Sequence, residues 1–298
     1  GTGWVGHNIV REFVADGHEV TACSRGHLTT YERGLPEGVR RIGADKSDVE
    51  SIGPVLAEPY DCIIDTVPTE ESIDHVVSLA RPGTHYLHCS STGGYAPLQR
   101  VPADETHPYD DFMGGWGQKG IVDAKVMDLF HRRGFQATVL RPSYITGPGM
   151  LPLDNLGGRR ADFVEDLLQE RVLDLPDQGL ALLHPVHVKD LAKAFLLAAR
   201  CPQSIGQIYN VCLDRAVTLT RYIEINAAAL GRCARINLMS VPDMLEKYGD
   251  SIHQVGLHFL ATHMCYDITK VKTHLGYAPR CTTEQAIAET AQWAARQP

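Results

Sequence analysis

Gly1-Thr2-Gly3-Trp4-Val5-Gly6 opens the chain with the spacing G-x-G-x-x-G, which in a βαβ unit joins a strand to the helix that follows it. Glycines are needed in such a turn for three reasons: the backbone doubles back tightly, approaches a pyrophosphate closely, and packs the helix against the sheet. The helix N-terminus then offers free N–H donors to the phosphate. The residues that follow fit this reading. Val5, Ile9, Val10, Phe13 and Val14 recur at helical spacing, Gly17-His18 stops the helix, and residues 19–23 read as a strand. Gly1, Gly3, Trp4, Val5 and Gly6 are therefore candidates for binding a dinucleotide; the alternative is a glycine-rich N-terminal arm. No strand stands in front of the turn. A sheet without that strand would leave ladder groups unpaired on both neighbours, so a short apolar strand upstream of Gly1 is expected.

Beyond the turn, strand-like runs at 20–23, 40–43, 62–66, 85–89 and 137–140 alternate with helical patterns at 49–57, 72–80 and 119–133. Such alternation predicts an α/β fold, a doubly wound parallel sheet with helices on both faces. After Gly147-Pro148-Gly149 the rhythm changes. A loop with Gly157-Gly158-Arg159-Arg160 precedes a helix over 162–171, a short strand at 172–175, a helix over 192–200, a strand at 208–211 and a helix from Thr218 to about residue 230. Residues 1–150 thus read as a dinucleotide-binding Rossmann domain. Residues 151–298 read mainly as a smaller α/β substrate lobe, with some segments returning to the core.

The composition narrows the function classes. With 298 residues, 44% hydrophobic and 21% charged, the chain can bury a core and a smaller lobe. A formal charge of −8 argues against nucleic acid or an anionic membrane as partner. The eight cysteines (Cys23, Cys62, Cys89, Cys201, Cys212, Cys233, Cys265, Cys281) show no C-x-x-C spacing and read as thiols of a reducing cytoplasm. No apolar run approaches the roughly 20 residues of a membrane span.

Four further segments, in chain order, carry a resemblance: His88-Cys-Ser-Ser-Thr-Gly-Gly-Tyr95, Leu140-Arg-Pro-Ser-Tyr-Ile-Thr-Gly-Pro-Gly149, His184-Pro-Val-His-Val-Lys-Asp-Leu-Ala192, and residues 267–279 before a last helix ending near Trp293. Together with the glycine turn they resemble the extended short-chain dehydrogenase/reductases, the NAD-dependent epimerase/dehydratase family. The Ser24-Arg25-Gly26 and Asp65-Thr66-Val67 segments look most like its atypical branch, which includes chloroplast stem-loop-binding proteins. The resemblance implies a Rossmann domain with a C-terminal substrate lobe, a homodimer, a small-molecule substrate, and oxidoreductase, epimerase or dehydratase chemistry.

Each site is then read residue by residue. An acid at the end of the second strand would receive a ribose 2′-hydroxyl, but Ser24-Arg25 stands there, which suits a 2′-phosphate and favours NADP over NAD. Asp45 resembles the family's adenine contact, Thr66 and Val67 the groove lining, and Pro142 and Ser143 the segment packed on nicotinamide. Ser91 falls at the family's catalytic Ser/Thr position, with Thr92 beside it toward substrate. Lys119 matches the catalytic lysine, which also holds the ribose, and Asp123 follows where the family often carries an acid. Four residues before Lys119, where the family places its catalytic tyrosine, stands Gly115. A phenol is missing there, and Tyr109, Tyr95, Tyr144 and His187 are candidate substitutes. Tyr144 is also expected to point toward substrate, and Arg159 and Arg160 suit a diphosphate or carboxylate. His184, His187 and Asp190 belong to a structural segment rather than a metal site. The missing tyrosine keeps a second reading open, a catalytically silent dinucleotide-binding or RNA-associated protein.

Overall fold

The apolar stripe behind the glycine turn becomes helix α1 (Trp4–Ala15), which buries Trp4, Ile9, Val10 and Phe13 on one face. The computed structural model describes residues 2–26, 34–95, 97–109 and 117–297. Gly1 and Gly115, both singled out in the sequence, lie outside the described residues. Strands and helices then follow in order: β1 (Thr21–Ser24), β2 (Arg40–Gly43), α2 (Val49–Leu56), β3 (Cys62–Asp65), α3 (Glu70–Leu79), β4 (His85–Cys89), a 3-10 turn (Thr92–Tyr95), α4 (Gln118–Arg133) and β5 (Ala137–Pro142). The second half contains β6 (Ile145–Thr146), α5 (Asp162–Leu168), β7 (Val172–Pro176), β8 (Leu182–Leu183), β9 (Val186–His187), α6 (Val188–Arg200), β10 (Ile208–Val211), β11 (Val217–Thr218), α7 (Leu219–Ala229), β12 (Arg235–Met239), α8 (Val241–Tyr248), α9 (Gln254–Ala261), α10 (Thr269–Leu275) and α11 (Thr283–Ala294).

The main sheet is parallel, in the order β10-β5-β4-β3, and β1 and β2 form a separate parallel pair. Its registers place Cys62 opposite His85, Tyr86 opposite Ala137, and Ile208 opposite Val139. Successive residues of a strand point to opposite faces, and the core divides accordingly. Tyr86 and Val139 pack with Ile52, Ile73, Val76 and Val126 of α2, α3 and α4. Leu87 and Leu140 pack with Ile9 and Phe13 of α1 and with Leu191 and Phe195 of α6. Helices therefore cover both faces, the doubly wound arrangement. In the C-terminal half β7 pairs with β12, β6 with β9 and β8 with β11, while β10 returns to the main sheet beside β5.

Local signals explain most element ends. Thr69 and Ser72 form a capping box on α3, as do Thr282 and Gln285 on α11, each side-chain cap stabilising its helix by about 1 kcal/mol. Thr218 caps α7 by accepting from the Arg221 amide. Two helices differ from their expected lengths. α5 stops at Leu168 instead of reaching 171, since Glu170 takes a left-handed φ of 51°. α6 starts one turn before residue 192 because His187 serves as its N-cap, accepting from Lys189 N, a role usually filled by Ser, Thr, Asp or Asn.

Candidate active site

Parallel strands end on one edge of a sheet, and ligands of such folds sit outside that edge. Ser24 ends β1, Asp65 ends β3, and Ser90-Ser91 and Pro142-Ser143 lie where β4 and β5 finish. The start of α1 belongs to the same region. Gly3 is its N-cap, in extended backbone with no side-chain cap, and a Cβ placed on Gly3 would meet nothing within 4 Å. The first-turn N–H groups of a helix have no intrahelical partner, and here open space stands beside them. Trp4 is buried, its indole Nε1 donating to Pro148 O at 2.8 Å, so its side chain is engaged within the fold; Val5 is half-buried behind it.

Across β1 and β2, Arg25 is exposed and its charge helps hold the Asp45 carboxyl below the usual range. The larger causes are the hydrogen bonds Asp45 receives from the hydroxyl (2.7 Å) and amide (3.1 Å) of Ser47. Lys46 reaches Asp65 at 3.0 Å. Thr66 is half-buried and Val67 is 65% exposed.

At the end of β4, Ser91 Oγ accepts from Gly93 N at 3.0 Å and Thr92 is buried, donating to Pro142 O at 3.5 Å. Lys119 lies in the first turn of α4, where its charge opposes the rise of the Cys89 thiol, which burial pushes up to about 12. Below them lies a buried polar network. Asp123 Oδ2 accepts from Ser90 Oγ (2.9 Å), Tyr109 OH (2.6 Å) and Arg141 Nε (2.8 Å), and His88 Nε2 stands 2.9 Å from Oδ1. Burial alone would raise the Asp123 carboxyl, but His88, the Arg141 charge and the Tyr109 hydroxyl together hold it below the usual range. The sequence signals for this network were Asp123, four residues after Lys119, the Leu140-Arg-Pro run, the segment from His88 to Tyr95 and Tyr109 as a candidate phenol; none of them marked these side chains as partners of one another.

The four candidate substitutes for the absent phenol have distinct surroundings. Tyr95 is fully buried, donating to Asn210 Oδ1 at 3.2 Å and accepting from Arg141. Tyr144 OH accepts from Leu153 N at 2.5 Å and meets Tyr222 OH at 3.3 Å. His187 pairs with Glu289 at 3.1 Å. Tyr109 is the one bonded to the strand end, its hydroxyl 3.4 Å from Ser91 O. Its ring occupies the space a side chain at Gly120 would need: an added Cβ there would stand 2.4 Å from Tyr109 Cγ. Burial first, then the Asp123 charge, push this phenol up, so it keeps its proton.

The Ser143 hydroxyl donates to His184 O. Arg159 donates to Leu151 O and Ile145 O and lies 4.7 Å over the Tyr144 ring, while Arg160 is shared by Asp154, Asp162 and Asp166. Both guanidinium groups are thus engaged within the chain. Among the described residues no group of three or more His, Cys, Asp or Glu side chains is arranged to hold a metal. His184 uses both ring nitrogens internally, on Leu213 O and Tyr266 N.

Residues 1–212 match the model of the NAD dependent epimerase/dehydratase family. The chain belongs to that family. It is a member of a family of NAD-dependent enzymes, and the uncapped α1 N-terminus beside Gly3 fits a dinucleotide pyrophosphate. The chain is similar to chloroplast stem-loop binding protein of 41 kDa b of Arabidopsis thaliana, 24% identical over 307 residues, covering 97% of this chain and 76% of that protein. Among solved structures, dTDP-glucose 4,6-dehydratase from Bacillus anthracis in complex with NAD superposes with a TM-score of 0.80 at 16% identity, covering 99% of this chain and 94% of the other. UDP-glucose 4-epimerase from Bifidobacterium longum in complex with NAD+ and UDP gives 0.76 at 15% identity, covering 100% and 97%. These two likenesses establish the Rossmann fold of the epimerase/dehydratase family member described here. No described helix is long and apolar enough to cross a membrane.

Proposed function

We propose that this family member binds NADP in preference to NAD and carries out epimerisation, dehydration or carbonyl reduction on a polar, sugar-like or nucleotide-linked metabolite. The observation that carries the reading is the uncapped N-terminus of α1, open beside Gly3, together with Ser24 and Ser91 at the ends of parallel strands and the Lys119 charge acting on Cys89. In this reading the α1 amides hold the pyrophosphate. Ser24 and Arg25 take the 2′-phosphate, Asp45 the adenine, and Thr66 and Val67 the adenosine side of the groove. Lys119 holds the ribose hydroxyls, and Pro142 and Ser143 pack against the nicotinamide, whose C4 exchanges hydride with the substrate. Ser91 polarises the substrate oxygen, flanked by Thr92 and Tyr144, and Arg159, which meets neutral carbonyl oxygens, faces an anionic group, whereas Arg160 is committed to Asp154, Asp162 and Asp166. Gly115 supplies no phenol at the position of the family's tyrosine. Tyr109 holds its proton on Asp123, which supports a role in positioning the Ser90–Ser91 strand end rather than in proton delivery. A homodimer in the cytoplasm accompanies this reading.

Titration with NADPH and NADH, followed by nucleotide fluorescence and thermal shift, tests it. The expected result is saturable binding, tighter for NADPH; no response to either nucleotide overturns it. A second reading, an RNA-associated protein, is favoured by the stem-loop binding protein that matches 97% of this chain. Filter binding of a stem-loop RNA at about 0.15 M salt separates the two, because phosphate-driven binding would weaken steeply with added salt.

A further inference from the structure

Trp4 is the first residue of α1, and it is 7% exposed. A buried indole N–H needs an acceptor, and the one it meets is Pro148 O, at 2.8 Å and 144 positions along the chain. The two groups suit each other chemically: an indole can only donate, and a proline offers a carbonyl but no N–H. Asn8 Nδ2 donates to Trp4 O at 2.8 Å, so the backbone that carries the indole is held as well.

Pro148 stands between two glycines in left-handed backbone, Gly147 at φ 125° and Gly149 at φ 104°, where side-chain-bearing residues are strained. Gly147 is pinned on its other side: its N–H donates to Thr290 Oγ1 of α11 at 2.8 Å, and an added Cβ would stand 2.9 Å from His187 Nε2. Upstream, the Ser143 hydroxyl donates to His184 O, and Tyr144 O accepts from Val186 N at 2.8 Å. The stretch from Ser143 to Gly147 is thus fixed on β9 and α11, and at Pro148 it is tied to α1. Since α1 packs on α6 through Ile9, Phe13, Leu191 and Phe195, and Gly147 lies against His187 and Val188 where α6 begins, the Trp4 bond closes a ring of contacts.

We propose that Trp4 is a positioning residue for the nicotinamide end of a bound dinucleotide. It ties the helix start that would hold the pyrophosphate to the segment whose Pro142 and Ser143 would pack against the nicotinamide, so that the two parts of the site keep their spacing. The inference rests on the cofactor reading given above. Phenylalanine in place of Trp4 fills much of the same apolar space but brings no N–H. Pro148 O then loses its donor, and the glycines on either side, with their wide backbone freedom, let the turn drift from α1.

Isothermal titration of the wild-type chain and Trp4→Phe tests it, with the tighter-binding of NADPH and NADH and with the matching ADP-ribose, which carries the 2′-phosphate if NADPH is the tighter. The two ligands differ by the nicotinamide alone. In W4F the dinucleotide should bind about tenfold or more weakly, while ADP-ribose affinity stays within about threefold, so the ratio of the two falls. An indole that only fills the core would lower both affinities alike, and an unchanged ratio overturns the proposal while leaving the cofactor reading intact. A wild-type chain that binds neither dinucleotide overturns the cofactor reading and this inference with it. If W4F does not fold, 3-benzothienylalanine placed at position 4 keeps the shape of the indole with sulfur in place of N–H; the same fall in ratio is expected, and an unchanged ratio there overturns the proposal equally.

Discussion

Asp123 and Arg141 form an ion pair at 2.8 Å, with side chains 1% and 5% exposed, and the same carboxylate oxygen receives the hydroxyl of Ser90 at the end of β4. The pair anchors α4 to β5 where the sheet edge carries the candidate catalytic serine. Asp123→Asn would leave a buried guanidinium without its counter-charge, a change that costs about 3–5 kcal/mol in comparable sites. Urea denaturation should show a loss of that order for D123N and a smaller loss for D123N combined with Arg141→Met. A loss below about 1 kcal/mol for D123N would mean that the pair contributes little.

Acid should destabilise the protein before its carboxylates titrate. Burial pushes the His85 imidazole down to about 4 and that of His184 down to about 4 as well, against about 6.5 in an unfolded chain. Above pH 6.5 both states carry these rings neutral and the stability is fully present. Between 6.5 and 4 the unfolded chain takes up protons that the fold refuses, so stability falls by up to about 1.4 kcal/mol per pH unit for each ring. Denaturation midpoints at pH 7 and pH 5 measure the slope. His85→Gln can still donate to Thr138 Oγ1, which the ring meets at 2.8 Å, and should shrink the difference.

Gly3→Ala separates folding from nucleotide binding. An added Cβ meets nothing within 4 Å in the protein, and the backbone there, φ −70°, suits an L residue. Stability should change by no more than about 1 kcal/mol, while NADPH affinity falls by tenfold or more because the methyl group enters the space beside the α1 amides. Calorimetry and denaturation on the same variant check both halves.

Arg25→Asp should reverse the nucleotide preference. A carboxylate at the end of β1 repels a 2′-phosphate and accepts from a 2′-hydroxyl, so the NADPH-to-NADH affinity ratio should drop by about 10- to 100-fold, or about 1.4–2.7 kcal/mol. An unchanged ratio would remove Arg25 from the site.

With a turned-over substrate in hand, Ser91→Ala should lower kcat by at least about tenfold with nucleotide affinity unchanged. Lys119→Ala should weaken nucleotide binding as well. Variants with wild-type turnover would refute the assigned roles. Tyr109→Phe should instead show a stability loss of about 1–2 kcal/mol, from the hydrogen bond withdrawn from the buried Asp123.

The helix behind Gly3, the parallel strands and the helix start at Thr218 were legible in the chain because each depends on neighbours within a few residues: apolar spacing, β-branched runs, a hydroxyl before a helix. The strand ends followed, and with them Ser24, Ser91 and Pro142 as residues at or just after the ends of parallel strands. β12 escaped notice because it is mostly exposed and alternates poorly, leaving little periodic signal.

The partners of polar side chains belong to another level. His88, Tyr109, Asp123 and Arg141 come from β4, a loop, α4 and β5, and no spacing rule relates them; they meet because the βαβ crossovers stack those elements. Arg159 and Arg160 read as free guanidinium groups in the sequence, yet the fold gives them carbonyls and carboxylates of their own. Backbone conformation answers to local sterics and periodicity, whereas which donor meets which acceptor depends on faces that only long-range packing brings together.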